Sequence, residues 1–389
     1  MNVLWIAGWY PNQTEPYSGD FVQRHAQAAS LYHTITVLFV TRDAGGIATR
    51  DIRIENAKQG ALSERKVYYY SRLASVPLVG KIFSYLKYES LLKKELKKYF
   101  AENGKPDLIH FYIGMRAGAI GTWVRKLNVP YVVSEQWTGF LPGGQPHFNT
   151  LPSLFKTGWR SLIRGASGIH AVSTSLGKAI QQLTNSDLRI TLIPNVVNTA
   201  IFFPVNKSPD SVLKLVHITS LLDYQKNTKD ILLALALLKQ RSILFHLDVF
   251  GLVKPEYRDL IATLGISNEV VFHNEKSQEE LASYFSQADG LIIYSRFETF
   301  GCVIIEALAC GTPVIASDIA VLHENIENSR DGLFAKAEDP RALAERLEWL
   351  ATNRSVFKRD EIAKGCAAKY NYQTVGKMFA DWYKEVLAK

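Results

Sequence analysis

The sequence predicts an α/β fold with two Rossmann-like domains, each a doubly wound parallel sheet with helices on both faces. Its 389 residues, 47% of them apolar and 21% charged, have the composition of a globular protein long enough for two domains. Short apolar runs alternate with helical patterns, as parallel sheets require, because a crossover must join successive strands. Pro, Asn and charged residues between positions 194 and 210 divide these runs into two series.

The predicted strands are the short runs rich in β-branched residues. In the first series they are residues 3–7, 34–39, 108–111, 131–134, 169–172 and 191–193, and in the second 213–218, 244–250, 270–272, 290–294 and 313–316. We therefore expect an N-terminal domain over residues 1–195 and a C-terminal domain over residues 196–371. Sheets of this kind bind ligands at the carboxyl ends of their strands.

Composition excludes several classes of protein. The longest unbroken apolar run, Ile231–Leu238, is too short to span a bilayer. The first eight residues have no basic region, so they are typical of a strand rather than of a signal peptide. Cys302, Cys310 and Cys366 have no metal-type spacing, which indicates a reducing compartment and argues against a zinc site.

Positive charge is concentrated in the N-terminal half. Residues 1–200 have 23 Lys and Arg against 12 Asp and Glu, whereas residues 201–389 have 22 against 25. Seven lysines between Lys81 and Lys105 interleave with apolar residues at near-helical spacing. This pattern predicts an amphipathic helix whose basic face lies either on an anionic membrane surface or in solvent. No nucleic-acid-binding motif accompanies the charge, so no nucleic-acid partner is expected.

The most informative segment runs from Tyr294 to Ser317. A buried strand ends at Tyr294, a polar turn contains Glu298, and a helix begins near Gly301. Backbone N–H groups at the start of that helix would suit a phosphate. Glu306 interrupts the otherwise apolar helix, and a buried carboxylate requires a polar partner or ligand.

Glu298 and Glu306, separated by seven residues, are followed by Phe-Gly and by Ala-x-Ala-x-Gly-x-Pro-Val respectively. This pattern resembles the signature of the family-4 retaining glycosyltransferases of GT-B fold, glycosyltransferase group 1. The resemblance implies two domains that face a central cleft. It also implies that Glu298 contacts a hydroxyl of the donor sugar and that Glu306 binds the nucleotide ribose. The donor would be lined by Thr299, Phe300, Gly301 and Cys302.

Other segments resemble the donor side of the same family. The stretch from His217 to Leu221, followed by Lys226, is similar to the first strand and loop of the nucleotide-binding domain. In the family an Arg and a Lys of this loop hold the diphosphate. Lys226 matches the Lys, whereas Ser220 stands at the usual Arg position. The resemblance implies further donor contacts at Gly19, Gly251 and Asn274.

The resemblance extends to the N-terminal half and to the end of the chain. It implies that His110 contacts the transferred sugar and that Glu135 and Trp137 bind the acceptor. Gln136 stands where relatives often have His. The last helix, at about residues 372–389, is expected to pack back on the N-terminal domain, as in relatives.

The implied reaction transfers a sugar from a UDP- or GDP-sugar to an acceptor hydroxyl, with retention and without a metal or other cofactor. Glu298, His110 and Lys226 are the implied catalytic residues. Relatives build surface polysaccharides and lipid-linked glycans, which implies an acceptor of that kind. The protein is expected to be cytoplasmic, either free or peripheral on the inner face of the plasma membrane.

Two alternatives remain open at this point. One is a GT-B sugar-nucleotide epimerase or hydrolase. The other is a degenerate, non-catalytic subunit that binds a glycan, an interpretation that the departures at Ser220 and Gln136 allow. A nicotinamide dehydrogenase is disfavoured because no Gly-x-Gly-x-x-Gly follows the first strand.

Overall fold

The computed structural model describes residues 1–43, 52–71, 79–114, 118–185, 188–207, 210–219 and 223–388. The chain forms two compact units. The N-terminal unit comprises Met1–Phe140, Pro146–Val196 and Tyr372–Lys389. The C-terminal unit comprises Leu141–Gln145 and Val197–Asn371. Each unit is built around its own sheet.

The sheet of the N-terminal unit has the strand order β3-β4-β2-β1-β5-β6-β7-β8. Its strands are β1 (Asn2–Ala7), β2 (Thr34–Arg42), β3 (Arg53–Gln59), β4 (Leu62–Tyr69), β5 (Leu108–Tyr112), β6 (Tyr131–Glu135), β7 (Gly168–Ala171) and β8 (Ile190–Leu192). Neighbouring strands pair in parallel, except that β3 pairs antiparallel with β4. Strands β1, β5 and β6 are almost wholly buried, because helices cover both faces of the sheet.

The β3–β4 hairpin is the part of this sheet that the sequence pattern did not predict. Strand β3 reads RIENAKQ, and nearly all of its side chains are exposed. It therefore lacks the apolar alternation by which a strand is recognised. Charged side chains along this outer strand protect the edge of the sheet against pairing with another chain.

The helices of the N-terminal unit lie between its strands and at the end of the chain. They are α1 (Asp20–Ser30), α2 (Val79–Asn103), α3 (Gly118–Arg125), α4 (Ser153–Arg164), α5 (Thr174–Thr184) and α13 (Tyr372–Leu387). Helix α13 packs closely on α1: a Cβ atom on Gly376 would lie 2.2 Å from the carbonyl oxygen of Ala28. Phe379 and Tyr383 of α13 join Trp5 of β1 in the apolar core of the unit.

Helix α2 is amphipathic, as the lysine-rich pattern predicts. Its inner face buries Tyr88, Leu91, Leu92 and Leu96. Its outer face begins with exposed apolar side chains and continues with exposed lysines. Ile82, Phe83 and Leu86 are each 54% exposed, and Lys87, Lys94, Lys97 and Lys98 follow them.

The C-terminal unit has a parallel sheet of order β11-β10-β9-β12-β13-β14. Its strands are β9 (Leu213–Ile218), β10 (Phe245–Phe250), β11 (Val270–His273), β12 (Gly290–Ile293), β13 (Val314–Ser317) and β14 (Gly332–Ala335). Its helices are α6 (Asp223–Lys226), α7 (Thr228–Gln240), α8 (Glu256–Thr263), α9 (Gln278–Gln287), α10 (Cys302–Ala309), α11 (Pro340–Asn353) and α12 (Arg359–Tyr370). The order of the strands reverses between β9 and β12, which is the topological switch point of a doubly wound sheet.

The longest apolar run of the sequence, Ile231–Leu238, lies in α7, most of whose apolar side chains are buried in the C-terminal unit. Of the helices in the described ranges, none combines the length and the apolar character needed to cross a membrane.

Candidate active site

The switch point of the C-terminal unit brings two loops together. One loop follows β9 and ends with α6, and the other follows β12 and leads into α10. Lys226 is the last residue of α6, and Glu298 lies in the second loop. Because the strands are parallel neighbours, their carboxyl ends lie side by side, although the two residues are far apart in sequence.

Lys226 and Glu298 form an ion pair with 2.6 Å between Nζ and Oε1. The hydroxyl of Ser295 donates a hydrogen bond to the same carboxylate oxygen at 2.9 Å, and the amide of Gln225 lies 3.4 Å from Oε2. Glu298 is only 6% exposed. A carboxylate at this depth needs the cation and the donors that surround it.

Arg296 joins the two loops, and sequence reasoning missed it. Its guanidinium donates to the carbonyl oxygen of Asp223 at 2.9 Å and to Oδ1 of Asn227 at 2.6 Å. Its backbone N–H donates to the carbonyl oxygen of Gln225 at 2.8 Å. These bonds hold α6, and with it Lys226, against the loop of Glu298. The only signal in the sequence is an arginine two residues before Glu298.

Helix α10 begins directly after this loop. Gly301 precedes it in the left-handed region, with φ 85°. The preceding Phe300 is buried, and its carbonyl oxygen accepts a hydrogen bond from Nδ2 of Asn325 at 2.8 Å. Thr299, which precedes Phe300, and Cys302, which follows Gly301, are partly exposed. Glu298 of the ion pair therefore lies four residues before the first residue of α10, at whose N-terminus the helix dipole favours an anion.

Glu306 lies in the second turn of α10 and is 5% exposed. It shares the helix with apolar side chains that are almost all buried, as the sequence pattern predicts. Its carboxylate and Glu298 belong to one loop–helix segment, so the structure places the two signature glutamates in the same part of the C-terminal unit.

The remaining predicted donor residues lie at or near the carboxyl ends of the same strands. Gly251, with φ 112°, follows β10 so closely beside β9 that a Cβ atom would lie 2.2 Å from the carbonyl oxygen of Thr219. Asn274 follows β11 and is exposed. Ser220 lies outside the described residues.

A buried histidine links the two strands on either side of the switch point. His217 of β9 donates from Nδ1 to the carbonyl oxygen of Ile292 at 2.9 Å, so its Nε2 accepts from the hydroxyl of Thr228 at 3.2 Å. Burial is the main reason why the pKa of His217 is lowered to about 4. The ring is neutral and links β9 to β12 and α7.

In the N-terminal unit, Gly19 ends the loop after β1. It has φ 75° and precedes α1, and a Cβ atom there would lie 2.6 Å from the backbone nitrogen of Tyr10. No other residue type could bring the start of α1 this close to the Trp9–Tyr10 backbone without strain.

His110 is wholly buried in the core of the N-terminal unit. Its Nδ1 lies 2.6 Å from the hydroxyl of Tyr383 and its Nε2 lies 2.6 Å from Oγ of Ser134. The same serine lies 2.7 Å from Nδ1 of His170. Burial, and then the neighbouring His170, hold the pKa of His110 well below its usual value. These contacts give His110 a structural role, and its contact with a sugar stays a prediction.

Glu135 ends β6 and is fully buried. Its Oε1 accepts from the backbone N–H of Gly114 at 3.0 Å and from Nε1 of Trp159 at 2.8 Å. Its Oε2 has no hydrogen-bond partner among the described residues. Burial is the main reason why the pKa of Glu135 is raised to about 7. Trp137, two residues on, is partly exposed and covers Gly139.

No three His, Cys, Asp or Glu side chains of the described ranges lie together as a metal site would need. Among the described residues at the switch point, Lys226 and the N-terminus of α10 are groups that suit an anion.

Comparison with protein families gives two adjoining matches. Residues 25–196 match a glycosyl transferase 4-like domain, and residues 201–366 match the glycosyl transferases group 1. A D-inositol 3-phosphate glycosyltransferase of Streptomyces bingchenggensis is 33% identical over 141 residues, which are 35% of this chain and 30% of that protein. A namesake from Streptomyces scabiei is 42% identical over 98 residues, 25% of this chain and 22% of that protein. The chain thus aligns with less than a third of the length of either relative.

Solved structures resemble the chain over its full length. Sucrose-phosphate synthase from Thermosynechococcus elongatus has a TM-score of 0.76 at 18% identity and covers 100% of both chains. HepE from Anabaena, in complex with UDP, has a TM-score of 0.72 at 16% identity, covering 99% of this chain and 100% of its own. The lipopolysaccharide outer core galactosyltransferase WaaB has a TM-score of 0.68 at 15% identity, covering 99% of each. These likenesses confirm the predicted fold class of two parallel-sheet α/β domains.

Proposed function

The chain belongs to the group 1 glycosyltransferases, and we propose from this that it transfers a sugar, with retention, from a nucleoside diphosphate sugar to an acceptor hydroxyl. The observation that carries the proposal is the Lys226–Glu298 pair beside the N-terminus of α10. A cation and a helix dipole suit the diphosphate, and a carboxylate suits the hydroxyls of a sugar. All three meet at the switch point, where doubly wound sheets bind their ligands.

A uridine diphosphate sugar is the donor that we propose first. HepE has been solved in complex with UDP and, in a second structure, with UDP-glucose. Starch synthase IV from Arabidopsis thaliana, another structure of this fold, has been solved bound to ADP, so the fold also accommodates adenine. Glu306 would bind the ribose in either case, and Gly251 and Asn274 would lie towards the nucleoside.

Catalysis would rest on stabilising the leaving group. As the bond from the anomeric carbon to the phosphate oxygen breaks, negative charge grows on the β-phosphate. Lys226 and the N-terminus of α10 would stabilise that charge without a metal. The acceptor hydroxyl would attack from the same face, and the departing phosphate oxygen would take its proton. Glu298 would hold the sugar through its hydroxyls, and neither it nor Lys226 needs to act as a nucleophile.

The acceptor that we propose is a lipid-linked or surface-polysaccharide glycan. WaaB is named for the lipopolysaccharide outer core, and the curated relatives are named for a phosphorylated polyol, D-inositol 3-phosphate. Glu135 and Trp137 at the carboxyl end of β6 are the proposed acceptor contacts. The outer face of α2, apolar at Ile82, Phe83 and Leu86 and basic beyond them, supports attachment to the cytoplasmic face of an anionic membrane.

Nucleotide binding is the first test of this proposal. UDP, GDP, ADP, CMP and dTDP would be added in turn to the wild-type chain and to Glu306→Ala, with magnesium and with EDTA, and thermal unfolding would be followed. A ligand that binds only the folded state stabilises it by about 2.7 kcal/mol at a hundredfold excess over Kd. We expect one diphosphate to raise Tm equally with magnesium and with EDTA, and the shift to be lost in Glu306→Ala.

The sugar conjugate of that nucleotide then distinguishes the activities. A transferase releases the nucleotide only when an acceptor is present, whereas release from the donor without acceptor would indicate a hydrolase. The anomeric proton of the product, observed by NMR, reports retention or inversion. If none of the five nucleotides changes Tm, the transferase proposal is wrong and a non-catalytic subunit is the better interpretation.

A further inference from the structure

The N-terminal unit has a groove that the proposed transfer does not use. Its volume is about 980 Å³, and Arg125, Arg160 and Arg164 lie along it. Arg125 ends α3, Arg164 ends α4, and residues 182–185 at the end of α5 form another wall. These three helices end just before β6, β7 and β8. The groove therefore lies at the amino edge of those strands, whereas Gly19 and Glu135 lie at carboxyl ends in the same sheet.

Each arginine has a structural task that uses part of its side chain. Arg160 donates from Nε to the carbonyl oxygen of Leu183 at 2.9 Å, and Arg164 donates from Nη2 to that of Thr184 at 3.0 Å. Both bonds cap the C-terminal end of α5. Arg125 donates to the backbone and side-chain oxygens of Ser161 at 2.8 and 3.0 Å. A guanidinium has five N–H donors, so capping leaves most donors of Arg160 and Arg164 for another acceptor.

Among the described residues, the positive charge of the three groove arginines exceeds the negative charge that lines the groove. No carboxylate lines the groove in the described part of the chain. The C-terminal ends of α3, α4 and α5 all lie at the groove, and each carries about half a negative charge, so together they offset about half of the three arginine charges. Between residues 118 and 196 the sequence has seven Lys and Arg residues but only two acids: Glu135, which is buried in the core, and Asp187, which lies outside the described residues. A ligand with negative charge would therefore gain from the donors that capping leaves on Arg160 and Arg164.

The side chains that line the groove indicate which class of ligand it would bind. Guanidinium groups match phosphate oxygens in a planar, bidentate geometry. A volume of about 980 Å³ is far more than one phosphate fills and falls in the range of small-molecule sites. The rest of the wall is rich in hydroxyl and amide groups, from Asn149, Thr157, Ser161, Gln182 and Asn185. Such groups suit the hydroxyls of a sugar or polyol.

We propose that this groove is a second ligand site, specific for a phosphorylated polyol or sugar. The phosphate would lie among the three arginines and the hydroxyl groups along the polar wall. The ligand is either a soluble sugar phosphate or the phosphorylated headgroup of a lipid, since both present the same groups. The site shares no residue with the donor site, so it can be tested whether or not the chain is a transferase.

Thr157 gives the sharpest test because its side chain faces the groove but makes none of the bonds that cap α5. It is an exposed position of α4, where Glu and Gln are both good helix formers. Thr157→Glu places a carboxylate one turn from Arg160, where it competes with a phosphate for the guanidinium. Thr157→Gln is the matched neutral control.

Binding would be measured by calorimetry with glycerol 3-phosphate, and by flotation with phosphatidylcholine vesicles with and without phosphatidylglycerol. Wild type, Thr157→Glu and Thr157→Gln would be compared, with Lys226→Gln to report any binding at the donor site. We expect Thr157→Glu to weaken binding about tenfold or more, and the other two variants to bind as wild type does. Thermal unfolding of each variant shows that the fold is intact.

Each pattern of results decides the question. If the Thr157→Glu effect is seen with glycerol 3-phosphate, the site takes a soluble phosphorylated polyol, and if it is seen only with vesicles, the site takes a lipid headgroup. The proposal is wrong if neither probe binds, if Thr157→Glu binds both probes as Thr157→Gln does, or if Lys226→Gln is the variant that loses binding. The Tm shifts that nucleotides cause are measured on the same samples. They test the transferase proposal independently of the groove.

Discussion

Nζ of Lys226 lies 2.6 Å from Oε1 of Glu298, across the switch point of the C-terminal sheet. The two side chains come from loops that follow β9 and β12. Each neutralises the other at a place where only 6% of Glu298 is exposed. A donor whose diphosphate binds Lys226 would release the carboxylate to accept hydroxyls of the sugar, so the two residues would change partners together.

Glu298→Gln is expected to separate donor binding from transfer. The amide keeps the shape and one acceptor oxygen but loses the charge, so we expect transfer to fall about a hundredfold or more. Nucleotide affinity should stay the same or rise, because Lys226 no longer has a competing anion. Calorimetry with the nucleotide and an assay of sugar transfer measure the two effects. Ser295→Ala, which removes one neutral donor to the same oxygen, should cost less than about tenfold. Unchanged transfer in Glu298→Gln would refute the assignment.

Arg296→Lys is expected to raise the KM for the donor by about tenfold while kcat changes less. A lysine cannot make the two guanidinium bonds to Asp223 and Asn227, so α6 and Lys226 would be held less firmly. Steady-state kinetics and Tm are measured together. Arg330→Lys, which changes an exposed arginine of the same unit paired with Glu327, is the control and should leave KM unchanged. A lower Tm at an unchanged KM would show that Arg296 acts on stability alone.

Glu135→Gln is expected to stabilise the protein at neutral and alkaline pH. Its pKa is raised to about 7 in the folded state, so folding opposes ionisation. The loss of folding stability that ionised Glu135 causes is absent below the unfolded pKa. It grows as pH rises through about 4.5 to 7 and then stays at up to about 3 kcal/mol. Urea unfolding at pH 8 and at pH 4.5 should show a gain only at the higher pH. Glu102→Gln, at an exposed glutamate of α2, should show none at either pH. A loss of stability at pH 8 would mean that the carboxylate charge is needed there.

Both units are expected to lose stability in mild acid because their buried histidines are neutral. The pKa values of His170 and His217 are lowered to about 4, mainly by burial. The stability that depends on their neutral form is complete above the unfolded pKa of about 6.5. It is lost as pH falls from there to about 4, by at most about 1.4 kcal/mol per pH unit for each histidine. Urea unfolding across this range measures the slope. His170→Gln should reduce it, whereas His323→Gln, at an exposed histidine, should not.

Phe83→Glu and Leu86→Glu are expected to weaken attachment to anionic vesicles. Both residues are 54% exposed on the outer face of α2, where apolar side chains precede exposed lysines. Flotation with and without phosphatidylglycerol measures the attachment, which should also weaken at high salt. Leu252→Glu removes an equally exposed leucine from the C-terminal unit and serves as the control. Wild type that stays unbound on anionic vesicles would exclude the membrane proposal.

Much of the fold was predictable because buried parallel strands are apolar on both faces and therefore stand out as short runs. Strand β12, all four residues of which are buried, is such a case. Strand β3 is the opposite case, since its exposed, charged residues have no pattern that differs from a loop. Only its pairing with β4 makes it a strand.

Residues of the candidate site were predictable where a charged or polar side chain interrupts an apolar strand or helix. Glu298 and Glu306 stand out because carboxylates are costly next to apolar strands and helices. His110 also interrupts an apolar strand, and there Tyr383 and Ser134 lie at hydrogen-bond distance from its two ring nitrogens, while its contact with a sugar stays a prediction. Sequence cannot separate these cases, because the difference lies in what surrounds the side chain.

The sequence by itself determined the two series of strands and helices and the Pro, Asn and charged residues that separate them. It also determined which residue types lie at the ends of the strands. These depend on local patterns of apolar, polar and turn-forming residues. The tertiary structure decided which of those residues meet: Lys226 with Glu298, Arg296 with Asn227, and the three arginines along one groove. Such contacts depend on strand order and on helix packing, which bring distant parts of the chain within a few ångströms of each other.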